Sequence, residues 1–370
     1  MSIRSTAPIR VALIGCGGIA RGHIAAYRAM GERCRLEFCV DIDEAKARAF
    51  AEQAGCRWAT NYLDVLDEVD AVDICTPPHL HAPMAIAAAS RGKHVLTEKV
   101  MATRLEDADE MIRVAEANRV KLMVAYVTRF DPIWIRLHEA VQQGMMGRAY
   151  LVTCRTEHFP HLAEWRASWE TFPMGCLLSH GCHYVDQMIW NFGDIVAACS
   201  VGSNTVRGPA LAREDTACAI FRFQNGMLGN FVCSWAARHT NLYIEFNVYG
   251  TEGFLHLTYG NDGVRRLELY RGRDIDVLYA HDPRRPGQAE EPKNFVGECE
   301  HFIDCIINDK EPLTNGREAR KSMAAILAAY QGDDEDRIIW LEPDALYAAK
   351  PGSRACPARP ATGSGNGLNG

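Results

Sequence analysis

The chain has 370 residues and a formal net charge of −7, with 48% hydrophobic and 24% charged residues. That composition is a globular one, and the length favours two domains. No long basic run offers nucleic acid or an anionic membrane a surface, and no apolar run approaches the ~20 residues of a transmembrane helix.

The opening Met1-Ser2-Ile3-Arg4-Ser5 leads straight into an apolar run, so no signal peptide is expected and a cytoplasmic location follows. The 14 cysteines are scattered without a CxxC pair. They read as small buried thiols in a reducing compartment, and no metal site is expected from them.

Val11-Ala12-Leu13-Ile14 reads as a buried parallel strand. Gly15 then permits a tight turn and Gly17 lets the backbone come close to a pyrophosphate. A helix starts near Ile19 with its N-terminus toward that anion, and Ala20 fills the third small position of the fingerprint. Gly15, Gly17, Gly18 and Ile19 are therefore the expected phosphate contacts. A second strand, Leu36–Val40, ends at Asp41, about 20 residues past the glycines, where a carboxylate accepts from ribose hydroxyls. Asp41 would repel a 2′-phosphate and no arginine follows it directly, so NAD is expected over NADP.

Further along, a helix fits 43–54, with Asp43 as its cap and Gly55 as its stop. Short strands follow at 57–59 and 71–75, the latter closed by Thr76-Pro77-Pro78-His79-Leu80-His81, whose prolines cannot donate to a ladder. A helix over 82–90, a strand over 94–97, a helix over 104–118 and a strand over 121–127 complete an alternating pattern, which implies a parallel sheet. Past Tyr150 the strand-like runs are 149–155, 217–223, 227–235, 243–249 and 253–258, with Gln224-Asn225-Gly226 as a hairpin turn. Helices are expected over 294–307 and 317–330, and residues 351–370, rich in Gly, Pro, Ser and Ala, read as a flexible tail.

The run from Val69 to His81, with Gly92-Lys93-His94-Val95-Leu96-Thr97-Glu98-Lys99, resembles the Gfo/Idh/MocA oxidoreductases, named for glucose-fructose oxidoreductase, inositol dehydrogenase and a rhizopine catabolism protein. The likeness runs from Ile9 to Leu341. It implies an α/β chain: a Rossmann dinucleotide-binding domain over 1–125, then a substrate and oligomerisation domain over 126–350 built on a large, mostly antiparallel open sheet. The family's Glu-Lys-Pro stands here as Glu98-Lys99-Val100. By that resemblance Lys99 lies beside the nicotinamide and the reacting carbon, and Thr76, Pro77, His81 and Glu98 lie around the cofactor. The family's Asp-x-Gly-x-His-x-x-Asp stands as Ser179-His180-Gly181-Cys182-His183-Tyr184-Val185-Asp186. His183 is then the acid/base, near neutral pH a natural role for an imidazole, while Ser179 cannot hold the charge of the usual aspartate. Spacing places His180 and His183 one helical turn apart.

Family position also makes Arg129, Trp165 and Arg166 substrate contacts, with His180 beside them. The implied activity is NAD-dependent oxidation of a secondary alcohol in a sugar, glycoside or cyclic polyol, with pyranose C3 one analogy, in a homodimer or homotetramer. Two alternatives share the motifs: a glycosidase that oxidises transiently and eliminates, and a dinucleotide-binding regulator without catalysis. The retained Lys99 and His183 count against the regulator.

Overall fold

The computed structural model describes residues 7–162, 167–288 and 293–341. Its first sheet carries the strands β1 (Ile9–Ile14), β2 (Cys34–Val40), β3 (Arg57–Ala59), β4 (Ala71–Ile74), β5 (His94–Thr97) and β6 (Leu122–Val124) in the order β3-β2-β1-β4-β5-β6. Every pairing is parallel. Strand order reverses between β1 and β4, and the carboxyl ends on either side of that reversal form the crevice where such sheets bind ligands.

Local chemistry accounts for the helices of this lobe. Asp43 caps α2 (Glu44–Ala54), accepting from the N–H groups of Ala45 and Lys46, and Gly55 ends it at φ +73°, a left-handed conformation that suits glycine. The helices α1 (Ala20–Ala29), α3 (His81–Ser90) and α4 (Leu105–Ala117) cover the two faces of the sheet.

Beyond β6, α5 (Pro132–Gln142) starts with Pro132 behind an Asp131 cap. Then come β7 (Ala149–Glu157), α6 (Cys176–Ser179), α7 (Cys182–Phe192), β8 (Ile195–Ser203), β9 (Thr216–Phe223), β10 (Leu228–Ser234), β11 (Leu242–Gly250), β12 (Phe254–Gly260), β13 (Arg265–Arg271), β14 (Asp274–His281), α8 (Phe295–Ile307), α9 (Gly316–Asp334) and β15 (Ile339–Trp340). The second sheet runs β14-β13-β12-β11-β7-β10-β9-β8-β15, antiparallel except for β7 beside β10. One face packs on helices through Val152, Cys154, Phe231, Phe246 and Leu257, all buried. The other carries Val201, Ile220 and Leu228, all exposed.

The two lobes interlock. Helix α8 returns to lie on α1, where a side chain at Gly22 would meet the Phe295 ring at 2.5 Å. Thr314, ahead of α9, accepts from the Val124 N–H at 2.9 Å. A boundary drawn at 125 in sequence is therefore crossed twice in space, and the Rossmann lobe borrows its α8 cover from the far end of the chain.

Two expectations change. The strand expected over 121–127 stops at Val124 and is followed by a 3-10 turn over Val127–Phe130. His180 and His183 do not share one helix: α6 ends at Ser179 and α7 begins at Cys182. Gly181 sits at the break, where a Cβ would lie 2.3 Å from the Leu177 carbonyl oxygen and 2.5 Å from Phe231, so only glycine lets this corner press against β10. The hairpin at 224–226 is present, with Gly226 at φ +85°. The tail 351–370 lies outside the described residues.

Candidate active site

The glycine loop leaves β1 with Gly15 at φ +98°. A Cβ there would sit 2.8 Å from the Cys75 carbonyl oxygen, so this glycine lets β1 and β4 close at the strand reversal. Gly17 and Gly18 are exposed with open space above them, and Ile19 precedes the first turn of α1. The backbone N–H groups of that turn have no capping side chain, which suits an anion.

Asp41 stands at the end of β2, half-exposed. Its Oδ2 accepts from the Cys16 N–H at 2.8 Å and its Oδ1 from the Asp43 N–H at 2.9 Å. A carboxylate has about four lone-pair sites, so Asp41 braces the glycine loop and still has acceptors for ribose hydroxyls. Thr76 and Pro77 lie half-buried on the β4 rim of the crevice. These residues fit a dinucleotide: a phosphate cradle that Cβ atoms would fill, and an acidic acceptor beside it.

His81 is placed otherwise than expected. It is fully buried, its Nδ1 lies 2.7 Å from the Val100 carbonyl and its Nε2 2.8 Å from the Thr76 carbonyl. Both nitrogens are turned to the protein, so the ring clips the β4 rim to the Lys99-Val100 turn rather than facing a cofactor. Burial pushes its pKa down. The peptide between Lys99 and Val100 is cis.

Lys99 follows β5, and its Nζ donates to the Ser179 carbonyl at 2.7 Å. The contact is to main chain, so it does not depend on an aspartate at position 179. Beneath it lies a ladder of alternating charge that no sequence motif announced. Glu98 accepts the Lys99 N–H at 3.0 Å, His23 Nε2 stands 3.4 Å from Glu98, His23 Nδ1 stands 2.7 Å from Asp73, and Tyr27 donates to Asp73 at 2.9 Å. Burial alone would push His23 down, but Asp73 holds its pKa well above 6.5. Burial alone would push Glu98 up, but the hydrogen bond and charge of His23, then Lys99, hold it below its ordinary value. Both groups are thus charged, and the Lys99 turn is anchored on a fixed anion.

His183, in the first turn of α7, is buried, with Nδ1 free of any hydrogen bond among the described residues. Burial first, then the charges of Lys99 and Lys293, push its pKa well below 6.5. It is a neutral imidazole with an unused nitrogen. His180, at the helix break, bonds the Thr156 hydroxyl at 3.0 Å through Nε2 and packs on the His158 ring at a 4.5 Å centroid distance. The carboxyl of Glu214 is buried to a pKa of about 7 and fixes this corner by accepting from the Leu177 N–H and the Tyr330 hydroxyl, both at 2.8 Å.

Arg129 is not at the substrate mouth. Its Nε and Nη2 each donate to Asp186 at 2.7 Å, and Nη1 donates to the Leu313 carbonyl at 3.1 Å. Both side chains are 1% exposed. With every face of the guanidinium occupied, it supports α7 from behind rather than touching substrate. Trp165 and Arg166 lie outside the described residues. His158, just past β7, belongs here: with Glu157 and His161 it lies in the loop leading in, where the sequence could not place it. So does Lys293, just before α8, which nothing in the sequence marked.

Residues 9–126 match the oxidoreductase family with an NAD-binding Rossmann fold, and residues 134–256 match the GFO/IDH/MocA C-terminal domain. The chain belongs to the GFO/IDH/MocA oxidoreductase family. It is 32% identical over 343 residues to an inositol 2-dehydrogenase of Rhizobium meliloti, covering 90% of this chain and 98% of the relative. It is 27% identical over 352 residues to a D-apiose dehydrogenase of Paraburkholderia graminis, covering 90% and 89%. A solved aldose-aldose oxidoreductase from Caulobacter crescentus, complexed with glycerol, superposes with a TM-score of 0.79 at 26% identity, over 90% of this chain and 100% of that one. The protein is an NAD(P)-dependent oxidoreductase acting on CH–OH groups. Among the described residues no helix is long and apolar enough to cross a membrane, and the cysteines are free thiols.

Proposed function

We propose that this enzyme oxidises a secondary alcohol of a sugar or cyclic polyol, with NAD as the hydride acceptor. The observation that carries the reading is a half-buried Lys99, held on the Ser179 carbonyl, whose charge acts on a neutral His183. Gly17, Gly18 and the first turn of α1 would hold the dinucleotide phosphates and Asp41 the ribose. When bound, the cofactor supplies a two-electron acceptor for hydride.

The chain's own part is proton handling and orientation. Lys99 directs a cation at the alcohol oxygen and stabilises negative charge as that oxygen loses its proton. His183 accepts the proton, because its imidazole is uncharged at neutral pH. Ser179 contributes its carbonyl, which orients Lys99, and not its side chain. His180, tied to Thr156, supports the wall beside the base. Support for the substrate class comes from the relatives, which are named for inositol and apiose.

The test is turnover of inositols, aldoses, aldonates and glycosides with NAD and with NADP, following cofactor absorbance and product mass together. Net reduced cofactor and a product two hydrogens lighter support the reading. Release of an aglycone with no net reduction replaces it by the eliminating glycosidase. Cofactor binding with no turnover of any substrate replaces it by the regulator.

Two results are expected. Because burial and Lys99 depress His183, the base stays neutral below pH 6.5 and is lost only as pH falls through the lowered value. The acid limb of kcat/KM for oxidation should therefore lie below pH 6.5, and His183→Gln should remove that limb along with most activity. A limb centred at or above 6.5 would count against His183 as the base. For the cofactor, Asp41→Ala removes the acceptor of ribose and the brace of Cys16. Hydrogen bonds to charged groups contribute ~1.5–3 kcal/mol, so kcat/KM with NAD should fall roughly tenfold or more while NADP falls less, narrowing their ratio. An unchanged ratio would remove Asp41 from cofactor selection.

A further inference from the structure

On the far side of His158 lies a pocket of about 460 Å³ lined by that residue with Phe159, Arg238, His239, Thr240 and Asn261. That size falls within the roughly 300–1,000 Å³ of small-molecule sites. His158 joins it to the candidate active site, since the same imidazole packs on His180 at 4.5 Å. Arg238 lines it, and Arg207 stands behind Phe159. The Phe159 ring carries the Arg207 guanidinium carbon 3.6 Å from its centroid and that of Arg238 at 3.8 Å. Two guanidiniums at those heights cannot share a face without overlapping, so the ring is sandwiched between them.

The two arginines differ in what they have left to offer. Arg207 donates to the Pro160 carbonyl and is half-buried. Arg238 is exposed and, among the described residues, has no carboxylate and no hydrogen-bond acceptor. Lys293, exposed just before α8, has no ion pair among the described residues; the protein crowded around it and then the charge of Lys99 push its ammonium pKa down, against the pull of Glu98 and Glu298.

Of the nearby acids, Glu157 pairs with Arg155 and Glu98 with His23. Asp215 accepts from the N–H groups of Val206 and Arg207 through one oxygen and sets its charge against Arg207, while burial holds the Glu298 carboxyl well above its ordinary pKa. Burial, then Lys293, Lys99 and Arg207, push the His158 pKa down to about 4, and no acid opposes them. Arg238 alone of these cations has no carboxylate of this chain acting on it among the described residues, which leaves its guanidinium open to an anion that a ligand brings.

We propose that the carbohydrate oxidised here carries an anionic group, a carboxylate or a phosphate, that Arg238 and Lys293 hold beside the reacting carbon. The proposal rests on the oxidoreductase reading above and narrows its substrate class. Arg238, with its planar fork stacked on Phe159, is preorganised to grip such a group through two oxygens. Lys293 adds a point charge nearer Lys99. The pair makes charge, rather than hydroxyl pattern alone, a criterion for entry.

The experiment uses the full chain with NAD and matched substrates: a neutral pyranose against its uronate, its aldonate and its 6-phosphate, and an inositol against its monophosphate. The expected result is a kcat/KM at least tenfold higher for an anionic member than for its neutral partner. The advantage should shrink as salt rises from low to several hundred millimolar, because exposed charges are screened. It should also shrink toward unity in Arg238→Gln and in Lys293→Met, in KM more than in kcat. Preference for uronate or aldonate identifies a carboxylate; preference for the phosphates identifies a phosphoryl group. Neutral members turned over as well as their anionic partners would overturn this proposal and leave the oxidoreductase reading intact. No turnover of either series would overturn both.

Discussion

Lys99→Met lowers kcat by roughly 10²–10⁴-fold, the range that a positioned acid–base or charge-stabilising group supplies, while the protein stays folded and still binds NAD. The stem of the side chain is kept and only the ammonium goes. Its one hydrogen bond among the described residues is to the Ser179 carbonyl, in a part of the cleft that water reaches, so the fold loses little. Glu98 keeps its charge because His23, not Lys99, is its principal partner. A second readout separates this role from mere packing. After burial, Lys99 is the foremost cause of the low pKa of His183. Removing it should therefore move the acid limb of the residual activity upward, toward pH 6.5. Lys99→Arg should not restore the rate, since a broad planar guanidinium does not occupy the place of a compact ammonium. A Lys99→Met enzyme with wild-type kcat would remove this residue from the chemistry.

How much of this was legible from the sequence follows from how local each signal is. The strand Val11–Ile14, the Gly15 turn, the Asp43 cap and the Gly55 stop were all readable, because each is set by neighbours within a few residues. Four strands of the second sheet were missed. β8 is built of Ala, Cys, Ser and Gly beside its valines, and β13 carries Arg265, Arg266, Glu268 and Arg271 among seven residues. Their partners across the sheet, not their composition, make them strands. β14 is largely exposed, and β15 has two residues.

The site divides the same way. Lys99, His183 and Asp41 came from motifs with fixed spacing. The break between His180 and His183 could not be read, because Gly181 is required by Leu177 and by Phe231, 50 residues away. The roles of His81 and Arg129 were misjudged for a related reason. A sequence shows that a histidine or arginine is near a site, but not which way its polar atoms point. His23 and Lys293 carried no signal, since the groups that act on them, Asp73, Glu98 and Lys99, come from distant segments.

The buried pair of Arg129 and Asp186 yields the largest expected effect on stability. Arg129→Met leaves a carboxylate that is 1% exposed without its bidentate partner and leaves the Leu313 carbonyl without a donor. Breaking a buried pair from one side costs about 3–5 kcal/mol, a large share of the ~5–15 kcal/mol that keeps a protein folded. Burial already pushes the Asp186 carboxyl up against the pull of Arg129. Without Arg129 it takes a proton, which limits the cost but does not abolish it. The double variant Arg129→Met with Asp186→Leu removes both charges and should be more stable than Arg129→Met alone, because neither an orphaned charge nor an unmatched acid remains. Urea denaturation of the wild type, both single variants and the double variant tests this, and additive losses would refute it. Turnover then tells support from contact. Asp186 lies one turn beyond His183 on α7, so a pair that holds this helix in place should lower kcat when it is lost, even in the refolded double variant. An arginine touching substrate would instead raise KM, and that result would return Arg129 to the mouth of the cleft.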